Sequence, residues 1–283
     1  MFVPNADNIT ARWVCQIAGG GILVAGVAAA LALLWSAQRR RAAGARTVAV
    51  AHLASLPLSD VHAGVTLIIT FLFALASLPR TAGTAFRPDD RALVLGPLLY
   101  LCSSVLVVMF CGVHARCGLR RMFLAGPVRP AAAVAKGLVY GLAAIPPVAL
   151  LSFLISAGLE AWGFAPQHQE VFDWLGDASR APGARLFMMG AAVFLAPLSE
   201  ETLFRGILFP CLLRGRSVVV AALVSSLYFA TVHLHLASFL PLVVLGMFFS
   251  AGYAATGSLL TPITMHALFN FTSLIFYLAD PLP

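Results

Sequence analysis

Two glutamates and an arginine lie in an apolar stretch, Leu198 to Phe209, that reads LSEETLFRGILF. A charged side chain at the centre of a membrane-spanning helix costs about 2.5 to 3.5 kcal/mol on insertion scales, so such residues are expected to be paired or functional. Glu201 and Arg205 are four residues apart and therefore share one face of a helix. We expect them to form an ion pair, which makes the burial of both charges tolerable.

Glu200 is the residue that has no charged partner on its own helix. It is rotated by about 100° from Glu201 around the helix axis, so it faces away from Arg205. A lone carboxylate in an apolar environment is suited to accept and return a proton. Glu200 is therefore the candidate for acid–base chemistry. The presence of Glu201 and Arg205 is also explained by an ion pair that only fixes helix packing.

Further polar residues occur at helical spacing in the apolar stretches that follow. Phe229 and His233 are four residues apart, as are His266 and Asn270, so each pair shares a helix face. A single histidine in a membrane-spanning helix is explained by a hydrogen bond between helices about as often as by a function. Two histidines, an asparagine and a glutamate on neighbouring spans together favour a functional site.

Membrane-spanning helices are needed to hold these residues, and the composition predicts such helices. Of the 283 residues, 60% are hydrophobic and only 10% are charged. This apolar fraction exceeds what a soluble domain needs, so the expected fold class is all-α, a polytopic membrane protein. Apolar stretches of about 20 residues, the length of one crossing, predict eight spans at 14–36, 61–79, 92–114, 137–159, 186–213, 217–235, 238–256 and 259–279.

The net charge of +7 is distributed over the loops between spans rather than over one face, so it does not indicate nucleic-acid binding. Segments 37–60, 115–136 and 214–216 together contain eleven arginine and lysine residues and fall on one side of the predicted spans. The positive-inside rule assigns that side to the cytoplasm and both termini to the outside. We expect an integral, multi-pass protein of the inner or plasma membrane.

Taken in order along the chain, the spaced residues resemble the motifs of a known family. Glu200-Glu201-xxx-Arg205, Phe229-xxx-His233 and His266-xxx-Asn270 are similar to the three motifs of the CAAX-protease and bacteriocin-processing (CPBP) family. Its members are intramembrane endopeptidases related to the type II CAAX prenyl endopeptidase. The resemblance covers about 186–279. It implies N-terminal transmembrane helices and an outer loop over 1–185, and a catalytic core of four spans over 186–283.

The resemblance implies a role for each residue of the motifs. Glu200 would activate a water molecule as a general base, helped by His233. His266 and Asn270 would stabilise the oxyanion that forms when a peptide bond is attacked. The remaining motif residues would support the site structurally: Glu201, Arg205 and Phe229.

The resemblance also implies a peptide or protein substrate, and it leaves open whether that substrate carries a lipid. Membrane lipids are the other expected partner, and no nucleic acid is expected. No cofactor is expected, although Glu200, His233 and His266 would suffice to bind Zn²⁺ and leave an open position for water. Because the chain has no HExxH motif and asparagine is a poor zinc ligand, catalysis without metal is favoured.

Two other classes of function fit the same residues. A non-catalytic membrane scaffold or a bacteriocin-immunity-like protein would keep the motifs but act by binding a partner. A proton-coupled transporter would use Glu200, Glu201 and the two histidines as a proton relay. Transporters are typically built from repeated halves with broken helices at corresponding positions, and the sequence contains no such repeat.

The implied roles require Glu200, His233, His266 and Asn270 to converge on one cavity that opens to the cytoplasmic face. Glu200 and His233 are expected within direct or one-water reach of each other. Counting along the spans presents a difficulty, because His233 falls near the outer end of its span and Glu200 near mid-membrane. Tilted helices, or a kink at Pro197, would have to bring the two side chains level.

Overall fold

The computed structural model describes residues 21–22, 24–29, 48–76, 90–116, 118–124, 126–164, 175 and 181–279. Its helices are α1 (Val48–Ala54), α2 (Asp60–Ala76), α3 (Asp90–His114), α4 (Leu119–Phe123), α5 (Pro130–Ala161), α6 (Pro182–Leu213), α7 (Val218–Val232), α8 (Leu236–Thr256) and α9 (Leu260–Ala279). Residues 21–22 and 24–29 are also helical. The described residues contain no β-strand beyond an isolated bridge between Leu124 and Ser258, so the predicted all-α class is confirmed.

Several of these helices have the length and composition of membrane spans. Within the described residues, four are long and apolar enough to cross a bilayer: Leu95–His114 in α3, and the whole of α5, α6 and α8. α2 and α7 are also apolar but shorter, with 17 and 15 residues. The chain is therefore a polytopic helical membrane protein. The count of eight spans and their orientation stay predictions, and most of the first span lies outside the described residues.

The N-terminal and C-terminal helices share one hydrophobic core. Leu53 of α1 and Cys111 of α3 pack in the same buried cluster as Leu203 and Phe209 of α6 and Tyr253 of α8. α6 also contacts α2, α4, α7 and α9. These contacts bury Glu201 and Arg205 completely. The proposed boundary between an N-terminal region and a catalytic region at 185 stays a prediction.

Small residues allow α5 to approach α9, the helix that carries His266 and Asn270. A Cβ atom on Gly137 would lie 2.6 Å from the Cβ atom of Thr264, and one on Gly141 would lie 3.2 Å from the Cα atom of Met265. Contacts of this kind are typical of membrane helices that pack through small side chains. The close approach of α5 therefore fixes the position of α9.

α6 is not a regular α-helix. Two π-helical segments, Ala191–Leu195 and Thr202–Leu208, flank the α-helical turn Ala196–Glu201 that carries the two glutamates. Pro197, the second residue of that turn, has no N–H to donate. The irregularity that the sequence predicts at Pro197 is therefore accompanied by widened turns, which are frequent at functional sites.

From its sequence, the stretch 160–185 is predicted to be a long loop, in which Val171–Leu175 forms a short helix on the membrane surface or a disordered connection. Only Leu175 of this segment lies within the described residues. It is helical, 1% exposed, and packs against Met188 and Val193 of α6 and Leu274 of α9. Leu175 is therefore covered by protein rather than by lipid.

Candidate active site

The ion pair predicted between Glu201 and Arg205 is present, and it is completely buried. Nη1 of Arg205 lies 3.1 Å from Oε1 of Glu201, and neither side chain is exposed. Nη2 of Arg205 donates a second hydrogen bond, of 3.0 Å, to the carbonyl oxygen of Gly246 on α8. Arg205 therefore neutralises Glu201 and also ties α6 to α8.

Three aromatic rings surround the guanidinium group of Arg205. Its central carbon lies 4.7 Å from the ring centroid of Phe229, 5.3 Å from that of Phe249 and 5.8 Å from that of Phe204. All three rings are buried. A cation held against a ring away from water gains about 2 kcal/mol in favourable cases. These contacts therefore offset part of the cost of burying the charge.

Glu201 also binds His266, a contact that the motif spacing does not reveal. Nδ1 of His266 lies 2.8 Å from Oε1 of Glu201. A carboxylate oxygen paired with an arginine accepts hydrogen bonds, so Nδ1 carries a proton and Nε2 is left to face the site. The ring of Phe249 stacks on His266 at 4.9 Å, and that of Phe229 meets it edge-on at 5.9 Å. The orientation of His266 is therefore closely defined.

His233 is oriented in a similar way at the end of α7. Its Nδ1 atom lies 2.7 Å from the carbonyl oxygen of Phe229, one helical turn earlier. A carbonyl oxygen only accepts, so Nδ1 again carries the proton and Nε2 is free to face the site. The helix ends here, with His233 as its C-cap and Leu234 in the left-handed region at a φ of 52°.

The free nitrogens of both histidines point at one oxygen of Glu200. Oε2 of Glu200 lies 3.8 Å from Nε2 of His233 and 3.8 Å from Nε2 of His266. These separations are too long for direct hydrogen bonds and suit a contact bridged by water. Oε2 has no hydrogen-bond partner among the described residues. The side chains of Glu200 and His233 are 17% and 25% exposed, against 5% for His266, so access is from the side of the first two.

The short length of α7 explains how His233 lies level with Glu200. The sequence predicts a span over 217–235, but the helix ends at Val232 and has only 15 residues. At about 1.5 Å per residue it is roughly 22 Å long, which is less than the hydrocarbon thickness of about 30 Å. The helix therefore ends three residues before the predicted boundary at 235, with His233 as its C-cap.

Asn270 follows His266 by one turn of α9, but its amide group has a partner elsewhere. Nδ2 of Asn270 donates a hydrogen bond of 2.8 Å to the carbonyl oxygen of Ala192, in the first π-helical segment of α6. An asparagine amide has two N–H groups, so one remains for another contact. The structure thus brings Glu200, His233 and His266 to one point, and it anchors Asn270 beside them to α6.

Zinc binding by Glu200, His233 and His266 is the other use that the sequence offers for these residues. Within the described part of the chain, no group of three or more histidine, cysteine, aspartate or glutamate side chains has a spacing that would hold a metal ion as the side chains stand. Their nearest atoms are 3.8 Å apart, so the side chains would have to draw together around Zn²⁺. Binding of zinc by these three residues stays a prediction.

Two residues near the site were not singled out from the sequence. Phe249 of α8 stacks on His266, and Tyr100 of α3 lies within electrostatic range of Glu200 and Glu201. An aromatic residue in an apolar span is ordinary, and both contacts are made between helices. No signal local to either residue distinguishes it from other apolar positions.

Comparison with known families identifies the region that contains this site. Residues 182–272 match the family model described as type II CAAX prenyl endopeptidase Rce1-like, in agreement with the resemblance found in the motifs. Comparison with curated proteins and with solved structures gives no match. The matched segment covers α6, α7, α8 and most of α9. Residues 182–272 of this membrane protein are therefore similar to the Rce1-like type II CAAX prenyl endopeptidase family, which is a family of proteases.

Proposed function

We propose that this protein is an intramembrane endopeptidase that hydrolyses a peptide bond with water activated by Glu200 and His233. The observation that carries the proposal is the convergence of two oriented histidines on one carboxylate oxygen of Glu200, at 3.8 Å from each. The similarity of residues 182–272 to a protease family supports hydrolysis as the reaction. The alternative, a scaffold without catalysis, is an outcome of the experiment below.

Glu200 is the general base in this mechanism. A water molecule between Glu200 and the two Nε2 atoms would be within hydrogen-bond reach of all three, because a bridged contact suits separations of 3.8 Å. Glu200 accepts a proton as the water oxygen attacks the carbonyl carbon, and His233 accepts a hydrogen bond from the same water. The proton then passes to the leaving amine, as in other general acid–base reactions.

The negative charge that develops on the carbonyl oxygen of the substrate requires hydrogen-bond donors. Asn270 supplies its second amide N–H, since the first is bound to Ala192. His266 donates from Nε2 when both of its ring nitrogens carry protons, because Nδ1 is engaged by Glu201. Loss of one such donor typically lowers kcat by about 10² to 10³.

Glu201 and Arg205 are positioning residues in this scheme. Arg205 holds Glu201, and Glu201 holds the ring of His266 with its free nitrogen towards Glu200. Neither side chain is exposed, so neither is placed to touch a substrate. Their role is to keep the catalytic groups in a fixed geometry, which is the source of much of the rate of an enzyme.

We propose a peptide or protein substrate that enters from the membrane. The matched family is that of a prenyl endopeptidase, so a peptide with a prenylated cysteine near its C-terminus is the first one to test. The same peptide without the prenyl group is the matched comparison. Faster cleavage of the prenylated peptide would mean that the enzyme recognises the prenyl group as part of its substrate.

The test uses the full chain purified in detergent and a fluorogenic CAAX-type peptide, prenylated or not, in water enriched in oxygen-18. We expect cleavage with one oxygen-18 atom in the new carboxyl group. Glu200→Gln should lower the rate by about 10² to 10⁴-fold, the usual contribution of a general base, at an unchanged melting temperature. Equal cleavage by this variant would refute the role of Glu200. Binding of the peptides without cleavage would favour the scaffold.

A further inference from the structure

One end of the helical bundle carries a group of exposed arginines that the proposed reaction does not use. We name them the basic rim: Arg116, Arg120, Arg121, Arg129, Arg214 and Arg216, all exposed. They lie in the segments that join α3 to α5 and α6 to α7. Neither 115–136 nor 214–217 contains an aspartate or a glutamate, so the sign of the charge is uniform.

Contacts between loops place the basic rim at one end of the molecule. Arg214 donates a hydrogen bond to the carbonyl oxygen of Leu58, just before α2. The backbone N–H of Gly126 donates to the carbonyl oxygen of Gly257 at 2.8 Å, which joins the α4–α5 connection to the turn between α8 and α9. A Cβ atom on Gly126 would collide with the carbonyl oxygen of Thr256, so these two loops are in direct contact.

The basic rim is not neutralised within the described part of the chain. The ion pairs there involve Arg205, His233 and His266, and none includes an arginine of the rim. Asp60, at the start of α2, is the one carboxylate that the described residues place at this end. Six exposed arginines with one acidic neighbour leave a strong positive field that an external anion would balance.

Exposed apolar side chains adjoin the basic rim and indicate where the lipid lies. Val113 is 78% exposed and precedes Arg116 by three residues, and Val219 is 66% exposed and follows Arg216 by three. In a membrane protein such side chains face acyl chains. The arginines therefore lie at the depth of the lipid headgroups, where cations are attracted to anionic lipids.

We propose that the basic rim binds the phosphate groups of anionic phospholipids. The planar guanidinium group presents donors in a fork that matches two phosphate oxygens, and it is more weakly hydrated than an ammonium group. A lipid satisfies both observations at once, because its phosphate pairs with the arginines while its acyl chains cover the exposed valines. A cation near an anionic membrane surface strengthens binding by roughly fivefold, so the rim as a whole provides stable retention of such lipids.

The experiment compares the full chain in nanodiscs of phosphatidylcholine alone with nanodiscs that also contain phosphatidylglycerol. The rim variant is Arg120→Gln/Arg121→Gln. The matched control is Arg180→Gln/Arg185→Gln, which removes the same number of charges; Arg185 lies in the first turn of α6, at the opposite end of that helix from Arg214. The melting temperature is measured for each protein in each membrane, and phosphatidylglycerol that stays bound after extraction is counted by native mass spectrometry.

We expect phosphatidylglycerol to raise the melting temperature of the unaltered chain and of the control by the same amount. The rim variant should lose most of that rise and retain phosphatidylglycerol about 10-fold or more less well, since two arginines are removed. An equal response of the rim variant and the control would overturn the proposal. So would an equal rise caused by inorganic phosphate in neutral nanodiscs, because the ligand would then be a soluble anion. Neither readout depends on peptide cleavage, so failure here is distinct from failure of the proposed function.

Discussion

Oε1 of Glu201 accepts a hydrogen bond of 2.8 Å from Nδ1 of His266, across the interface between α6 and α9. Glu200, the preceding residue on α6, faces the other nitrogen of the same ring at 3.8 Å. The two adjacent glutamates thus approach one histidine from two sides, and they differ in burial at 0% and 17% side-chain exposure. The buried one orients the ring, and the more exposed one is the proposed general base.

This difference predicts opposite effects of two similar substitutions. Glu201→Gln leaves the fully buried Arg205 without its counter-charge, and breaking a buried pair costs about 3 to 5 kcal/mol. Glu200→Gln removes no hydrogen bond to Oε2 within the described structure and should leave stability nearly unchanged. Thermal unfolding in detergent and the yield of folded protein measure both effects. Equal destabilisation by the two variants would contradict the assignment of roles.

Gly246 is predicted to tolerate no side chain. A Cβ atom at this position would lie 2.8 Å from Oγ of Ser226 and 2.9 Å from Nη2 of Arg205. Gly246→Ala should therefore destabilise the protein by about 1 to 3 kcal/mol through overpacking. Gly158→Ala on α5 is the matched control, since a Cβ atom there meets nothing within 4 Å.

In the control, alanine should be neutral or stabilising by up to about 1 kcal/mol, because it is the better helix former. Melting temperatures of the two variants, measured in the same detergent, check both expectations. If Gly246→Ala is as stable as the control, the close packing of α8 against the guanidinium group of Arg205 does not contribute to stability.

Asn270→Ala is predicted to affect stability and turnover separately. Loss of the hydrogen bond to Ala192 leaves a carbonyl oxygen unpaired, which costs about 1 to 3 kcal/mol when buried. Loss of an oxyanion donor should lower kcat by about 10² to 10³ with little change in KM. Melting temperature and steady-state kinetics on a cleaved peptide separate the two. A normal kcat with a lowered melting temperature would leave Asn270 a structural role alone.

Chelation tests the zinc alternative directly. Because no described group has the spacing of a metal site, we expect 1,10-phenanthroline to leave peptide cleavage unchanged. Zinc in the purified protein, measured by mass spectrometry, should be well below one atom per chain. Inactivation by the chelator with recovery on added Zn²⁺ would instead make Glu200, His233 and His266 the ligands, with water in the open position.

The orientation predicted from the arginine-rich loops is tested by reporter fusions. We expect a C-terminal alkaline phosphatase fusion to be active, because the charge bias places the loop 115–136 in the cytoplasm and the C-terminus outside. A fused cytoplasmic reporter should be inactive at the same position. The reverse pattern would invert the topology without changing the site.

The sequence by itself determined the features that depend on composition or on local spacing. The apolar fraction specifies a helical membrane protein, because only structures that satisfy their own backbone hydrogen bonds span a bilayer. The predicted ends at 114, 213, 256 and 279 coincide with the ends of α3, α6, α8 and α9. The pair of Glu201 and Arg205 was also predictable, since residues four apart on one helix meet regardless of the surrounding fold.

Only the tertiary structure decided how the motifs fit together. Glu201 and His266 are 65 residues apart in the chain, and Asn270 and Ala192 are 78 apart, so no helical period relates them. The contact of His233 with Glu200 was also not predictable, because the two residues lie on different helices and are 33 residues apart. Hydrophobicity specifies which residues lie in the membrane. Packing between helices decides which polar groups face one another there, and that arrangement sets the chemistry.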